Sequence, residues 1–103
     1  MSERRRMTME IWPFPDAPNT MVFTTRDIVE GNAGILFVTH DQDDGAWQFR
    51  TAPKAAGGRI VSLEEVVFSD PSLSELADLP TGWRAVRDSV SSPWSREPIM
   101  FAV

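Results

Sequence analysis

The spacing of apolar residues changes along the chain, and each change predicts an element. Met21 to Val29 (MVFTTRDIV) is rich in β-branched and aromatic residues and reads as a strand. Gly31-Asn-Ala-Gly34 supplies turn chemistry, because glycine and asparagine tolerate positive φ. Ile35-Leu-Phe-Val-Thr39 is apolar at both alternating phases, the pattern of a central strand covered on both faces. Asp41-Gln-Asp-Asp-Gly45 is a turn signal. Trp47-Gln-Phe-Arg50 alternates, with Trp47 and Phe49 on one side and Gln48 and Arg50 on the other. Three strands joined by two short turns predict an antiparallel meander.

Thr51 to Arg59 contains Pro53, Gly57 and Gly58, has no periodicity and reads as a surface loop. The period then becomes helical. Ser62 and Glu65 stand at capping-box spacing, and Leu63, Val66 and Val67 follow as a short apolar stripe. Asp70-Pro71 ends that helix and opens another, with Leu73, Leu76 and Ala77 as its stripe and Ser72 and Glu75 as a second box. Both helices are too short to be stable alone, so packing on the sheet must hold them. Leu79-Pro-Thr-Gly82 breaks the second helix. Trp83 to Arg87 fits a strand or one helical turn, and we take the strand. Ser89 to Pro98 reads as loop, and apolar Ile99 to Val103 as a last strand.

Residues 1–20 read as an irregular arm. Pro13, Pro15 and Pro18 each fix φ and remove a donor, which excludes a helix interior or a central strand. Ile11, Trp12 and Phe14 are free to tuck onto the core or to dock on a partner. The predicted organisation is a Pro-rich arm (1–20) followed by one domain (21–103). That domain is α+β: a mostly antiparallel sheet beginning with the meander, two short helices on one face, and a C-terminal strand.

Composition narrows the class. The chain has 103 residues, enough for one domain. Four Trp and six Phe supply core material, which excludes a disordered acidic tail. There is no cysteine, hence no disulfide framework and no thiolate metal site. No apolar run reaches the ~20 residues that span a bilayer. The basic start (Arg4, Arg5, Arg6) is followed by prolines rather than an apolar stretch, so a cytoplasmic location is expected rather than secretion.

The formal charge is -5, which disfavours binding to phosphate backbones. Between Ile60 and Trp83 lie five acids (Glu64, Glu65, Asp70, Glu75, Asp78) and no base. Such a face can steer association with a basic protein, or can simply be a solvated helix surface. Trp94, beside Arg96 in a polar loop, is a residue type enriched at binding hot spots. Its alternative is to fold back over a sheet edge.

Candidate chemistry is sparse. His40, Asp41, Asp43 and Asp44 could together bind a divalent cation. Counted from Asp41, however, glycine falls at position 5 and position 12 is Ala52, so the calcium-loop pattern fails. The competing reading is a hairpin turn, since Asp-Gly is a strong hairpin signal. His40 is the lone histidine, either a hydrogen-bonded strand end or a catalytic base. No nucleophile elbow and no glycine-rich phosphate loop occurs. Glu64 and Glu65 are adjacent on a helix and do not face each other, so they are no acid–base pair.

Thr24-Thr25, Ile28-Val-Glu-Gly31, Ile35-Leu-Phe-Val38 and Asp43-Asp-Gly-Ala-Trp-Gln-Phe49 together resemble a family of small bacterial domains of unknown function. Some members are grouped with immunity proteins that neutralise polymorphic toxins. The resemblance implies a cytoplasmic, non-enzymatic domain that binds another protein; no cofactor is expected. The expectation is therefore a protein-binding domain using Glu64, Glu65, Glu75 and Asp78 for steering and Trp94 with Arg96 as anchor. Two alternatives stand beside it: a small-ligand or divalent-metal module at the 40–45 turn, and a structural homo-oligomeric subunit.

Overall fold

A computed structural model describes residues 12–100. Its strands are β1 (Met21–Thr25), β2 (Phe37–His40), β3 (Trp47–Arg50), β4 (Gly58–Ser62), β5 (Trp83–Val86) and β6 (Ser95–Pro98). Its helices are α1 (Arg26–Val29), α2 (Leu63–Ser69) and a 3₁₀ helix at Pro71–Leu76. The strands form one mixed sheet in the order β4-β1-β3-β2-β5-β6. The class is α+β.

The locally encoded elements stand where the pattern put them. The hairpin β2–β3 turns through Asp41–Gly45, where Gly45 N donates to Asp41 O (3.0 Å) and Gly45 takes φ +72°. The register His40↔Trp47 and Val38↔Phe49 keeps Trp47 and Phe49 on the buried side. Helix α2 begins at Ser62, whose Oγ accepts from Glu65 N, and it buries Leu63, Val66 and Val67. Replacing Ser62 by alanine removes that acceptor and is expected to cost about 1 kcal/mol in urea unfolding. The 3₁₀ helix starts with Pro71 behind an Asp70 cap. Its i, i+3 residues eclipse, which puts Leu73 and Leu76 one above the other, both fully buried.

The meander does not form. β1 pairs parallel with β3 (Phe23↔Gln48), and β2 lies beyond β3. The cause is the split of the expected strand 21–29 at Thr25. Arg26 N donates to Gly57 O (2.8 Å), α1 follows, and its one turn carries Ile28 into the core. The connection from β1 to β2 is then no tight turn, and β2 arrives one strand too far out to pair with β1. The slot beside β1 is filled by β3, so the sheet is antiparallel at every pairing but this one.

The remaining corrections concern edges. Gly58 and Arg59, expected in a loop, belong to β4, which pairs antiparallel with β1. Ser95–Pro98, also expected in a loop, is β6 on β5. Its polar sequence carries no alternation, and backbone pairing plus the Arg84–Glu97 ion pair (2.7 Å) hold it. Ile99 and Met100 form no strand, and 101–103, like Ile11 and the rest of 1–11, lie outside the described residues. Ser72 and Glu75 make no second box; the Ser72 hydroxyl donates to Asp70 Oδ1 (2.6 Å) instead. From the predicted arm, Phe14 joins the core, edge-on to Trp47 at 5.3 Å, and Trp12 packs at its border.

Side chains alternate across the strands, so the register assigns the faces. Val22, Val38, Trp47, Phe49 and Ala85 share one face and are buried under α2 and the 3₁₀ helix, together with Leu63, Leu73 and Leu76. Met21, Phe23, Ile60, Phe37, Thr39, Gln48 and Arg50 share the other, which no helix among the described residues covers; Phe37 and Thr39 are buried there all the same, whereas Met21, Phe23 and Ile60 are exposed.

Candidate functional site

The uncovered sheet face carries the candidate site. At its β1–β4 end three large apolar side chains stand in the open: Met21 (59% exposed), Phe23 (44%) and Ile60 (62%). Phe23 and Ile60 are register partners, so their side chains are neighbours across the two strands. Toward β2 the face becomes polar. Gln48 Nε2 donates to Asp41 Oδ2 (2.6 Å), Arg50 donates to Gln48 Oε1, and Arg50 Nη1 donates to Pro53 O (2.9 Å). These groups line a hollow of about 370 Å³ together with Phe37, Thr39, Asp43, Asp44 and Ile99. A second hollow of about 450 Å³ continues from Phe37 and Pro53 toward Arg84 and Glu97. The face is thus apolar at one end and acidic at the other.

The residues expected to bind a partner lie on the opposite side, and the structure uses several of them internally. Arg96 is the register partner of Ala85, which points it toward the helices. There Arg96 Nη2 donates to Asp78 Oδ1 (2.7 Å) and to Glu75 O. Arg96 thereby holds the Asp78 carboxyl below its ordinary value of 3.8, through the hydrogen bond first and the charge second. The small stabilisation this gives is present above that value and is lost as pH falls through the lowered one. Trp94 is half-buried and packs on the core, with the Arg87 guanidinium 4.1 Å from its ring centroid. It is therefore no free anchor. Glu64, Glu65 and Glu75 make no ion pair among the described residues, so the steering charge reduces to those three.

Asp70, counted at first with the acidic run, is a structural group. It receives Arg87 Nη2 (2.6 Å), Ser72 N (3.1 Å) and Ser72 Oγ (2.6 Å). Arg87 also donates to Ile35 O (2.9 Å) and to Ser72 Oγ (2.9 Å). One guanidinium so ties β5, the approach to β2 and the 3₁₀ helix together.

The possible metal ligands diverge. His40 lies on the helix side, its ring stacked on Trp47 with centroids 3.9 Å apart. Its Nδ1 is 2.7 Å from Leu79 O, and a carbonyl only accepts, so Nδ1 carries the proton and donates. Asp41 is engaged by Gln48 on the other side of the sheet, and Asp44 accepts from Ala46 N (3.0 Å) to shape the turn. Among the described residues no three His, Cys, Asp or Glu side chains group as ligands for an ion. Likewise no helix among them is long and apolar enough to cross a membrane.

Phe23, Met21, Ile60, Thr39 and Arg50 were not singled out by the sequence. The one available signal was that MVFTT is apolar in both phases, so an uncovered face would have to show Phe23. Which face stays uncovered depends on where the helices pack. Set against known proteins, the chain matches no family model, no curated protein and no solved structure.

Proposed function

We propose that this chain is a non-enzymatic protein-binding domain that docks its partner on the uncovered face of the sheet. The observation that supports the reading is the neighbouring exposure of Met21, Phe23 and Ile60 on a sheet face that no helix among the described residues covers. Exposed apolar neighbours of this kind mark interaction surfaces more often than isolated ones do. The partner's chemistry follows from what surrounds them. The face ends in the carboxylates of Asp43 and Asp44, and the chain has a formal charge of -5. The occupant is a protein surface with apolar side chains rimmed by bases, steered in by charge and held by apolar contact. Neutralising a basic toxin, the role that the family resemblance implies, is one instance of this.

The helix-side version of the reading keeps Glu64, Glu65 and Glu75 as its surface. The small-ligand version keeps the hollow beside Asp41. One experiment separates them. The partner captured from the source cells is titrated with the wild type, with Phe23→Asp, with Glu64→Lys/Glu65→Lys/Glu75→Lys, and with Asp43→Asn/Asp44→Asn. The expected result is at least a tenfold weaker complex for Phe23→Asp, and slower association for the asparagine pair. Retained binding by Phe23→Asp with loss in the triple lysine variant would move the interface to the helices. Binding indifferent to every variant would end the reading.

A further inference from the structure

The two outer strands of the sheet are built differently, and we infer that β4 is the pairing edge of a symmetric dimer of this chain. β6, at one end, carries devices that block strand addition. Ile99 N donates to Gly82 O, so pairs 82/99 and 84/97 bond inward and residues 96 and 98 face outward. Residue 98 is proline, without an N–H, and Arg96 and Glu97 are charged and exposed. Proline and charge are the usual protection of a sheet edge.

β4, at the other end, has no proline, and its single charged residue, exposed Arg59, is the register partner of Thr24 and so lies on the helix face. Leu63 N donates to Thr20 O and Arg26 N to Gly57 O. The bonded pairs with β1 are therefore 22/61 and 24/59, and Gly58, Ile60 and Ser62 turn their backbone groups outward. This row is self-complementary. Antiparallel pairing about a two-fold axis at Ile60 sets Ile60 N–H and C=O against the same groups of the second copy. Ser62 N–H then meets Gly58 C=O of the copy at each end. Ser62 C=O is taken by the first turn of α2, which limits the seam to four main-chain bonds. Gly58 C=O now accepts from Arg59 Nη1 (2.9 Å), and that contact opens on pairing.

Charge supports a second copy as the occupant. Pairing places Arg59 opposite Val61 of the copy. Val61 and Glu65 line one small cavity, so Glu65 of the copy becomes the counter-ion of Arg59. The two-fold axis makes this exchange twice. It also joins the two Met21–Phe23–Ile60 patches into one continuous surface on the uncovered face. The inference is independent of the docking reading above, because it rests on backbone groups at the edge.

The test is sedimentation equilibrium of the full chain from about 1 µM to about 1 mM, the range of a weak association. The wild type is expected to dimerise within it. Ile60→Pro removes an N–H that β1 does not use, so it should keep the circular dichroism of the wild type and weaken the dimer at least tenfold. Should the proline variant misfold, Ile60→Lys serves the same purpose. Glu65→Lys should weaken the dimer, and adding Arg59→Glu should restore it. The native chain has no cysteine, so oxidised Ile60→Cys should cross-link as a dimer. A wild type that stays monomeric to 1 mM overturns the inference. So does a dimer untouched by Ile60→Pro or Ile60→Lys, whose Ile60→Cys form does not cross-link. Loss of the captured partner in Phe23→Asp, with the dimer intact, would bear on the docking surface alone.

Discussion

Asp70→Ala is expected to lower the unfolding free energy by about 3–5 kcal/mol, and Arg87→Met by less. The asymmetry comes from burial. The Arg87 side chain is 1% exposed and that of Asp70 is 21% exposed, at an N–O distance of 2.6 Å. Removing Asp70 strands a cation that water cannot reach. Removing Arg87 leaves a carboxylate that water partly solvates and that Ser72 still binds. Methionine keeps much of the arginine stem's packing and gives up the guanidinium over Trp94. The double variant Asp70→Ala/Arg87→Met should therefore be more stable than Asp70→Ala alone, because no charge is left unpaired. Urea unfolding of the three variants, arranged as a double-mutant cycle, measures this. Strict additivity would show that the pair is not coupled. With domains of this kind stable by about 5–15 kcal/mol, that loss is a large fraction of the total.

Trp47→Ala should cost about 3–5 kcal/mol as well, through a cavity rather than a charge. Trp47 is 1% exposed and touches aromatic rings on three sides. His40 stacks on it, Phe14 meets it edge-on, and Phe49 lies parallel with centroids 6.0 Å apart. β3 is enclosed by β1 and β2, so the walls of the vacated space belong to paired strands that cannot collapse far. Trp47→Phe keeps a ring there and should lose about half as much. Equal midpoints in urea for both variants would mean that the size of the ring is not what the core requires.

The elements legible in the sequence are those whose cause lies within a few residues. The Asp41–Gly45 turn, the alternation Trp47–Arg50, the Ser62 cap and the Leu63, Val66, Val67 stripe each carry their own instruction. The α+β class follows from them. The candidate site was much less legible. Charge pointed to Glu64, Glu65 and Glu75, which lie on the helix side and not on the face that carries the site. The function of Asp78 and Arg96 as partners of each other, of Trp94 as a cover over Arg87, and of His40 as a donor to Leu79 depends on residues far along the chain. A charge in a list looks the same whether it steers a partner or ties a helix down.

Turns, caps, face alternation and the set of residues apolar enough to be hidden follow from neighbours along the chain. Long-range packing set the rest. It broke the strand at Thr25 because one helical turn there buries Ile28, and so gave β1 a parallel neighbour. It made β6 a strand from residues without a strand pattern, since backbone bonds to β5 need no particular side chain. It chose the sheet face that α2 and the 3₁₀ helix cover, and thereby left Met21, Phe23 and Ile60 in the open. For the broken strand and the choice of face the cause is the same. Local propensities differ by fractions of a kcal/mol per residue, whereas burial of a large apolar side chain contributes about 1.5–3 kcal/mol, so long-range packing prevails where the two disagree.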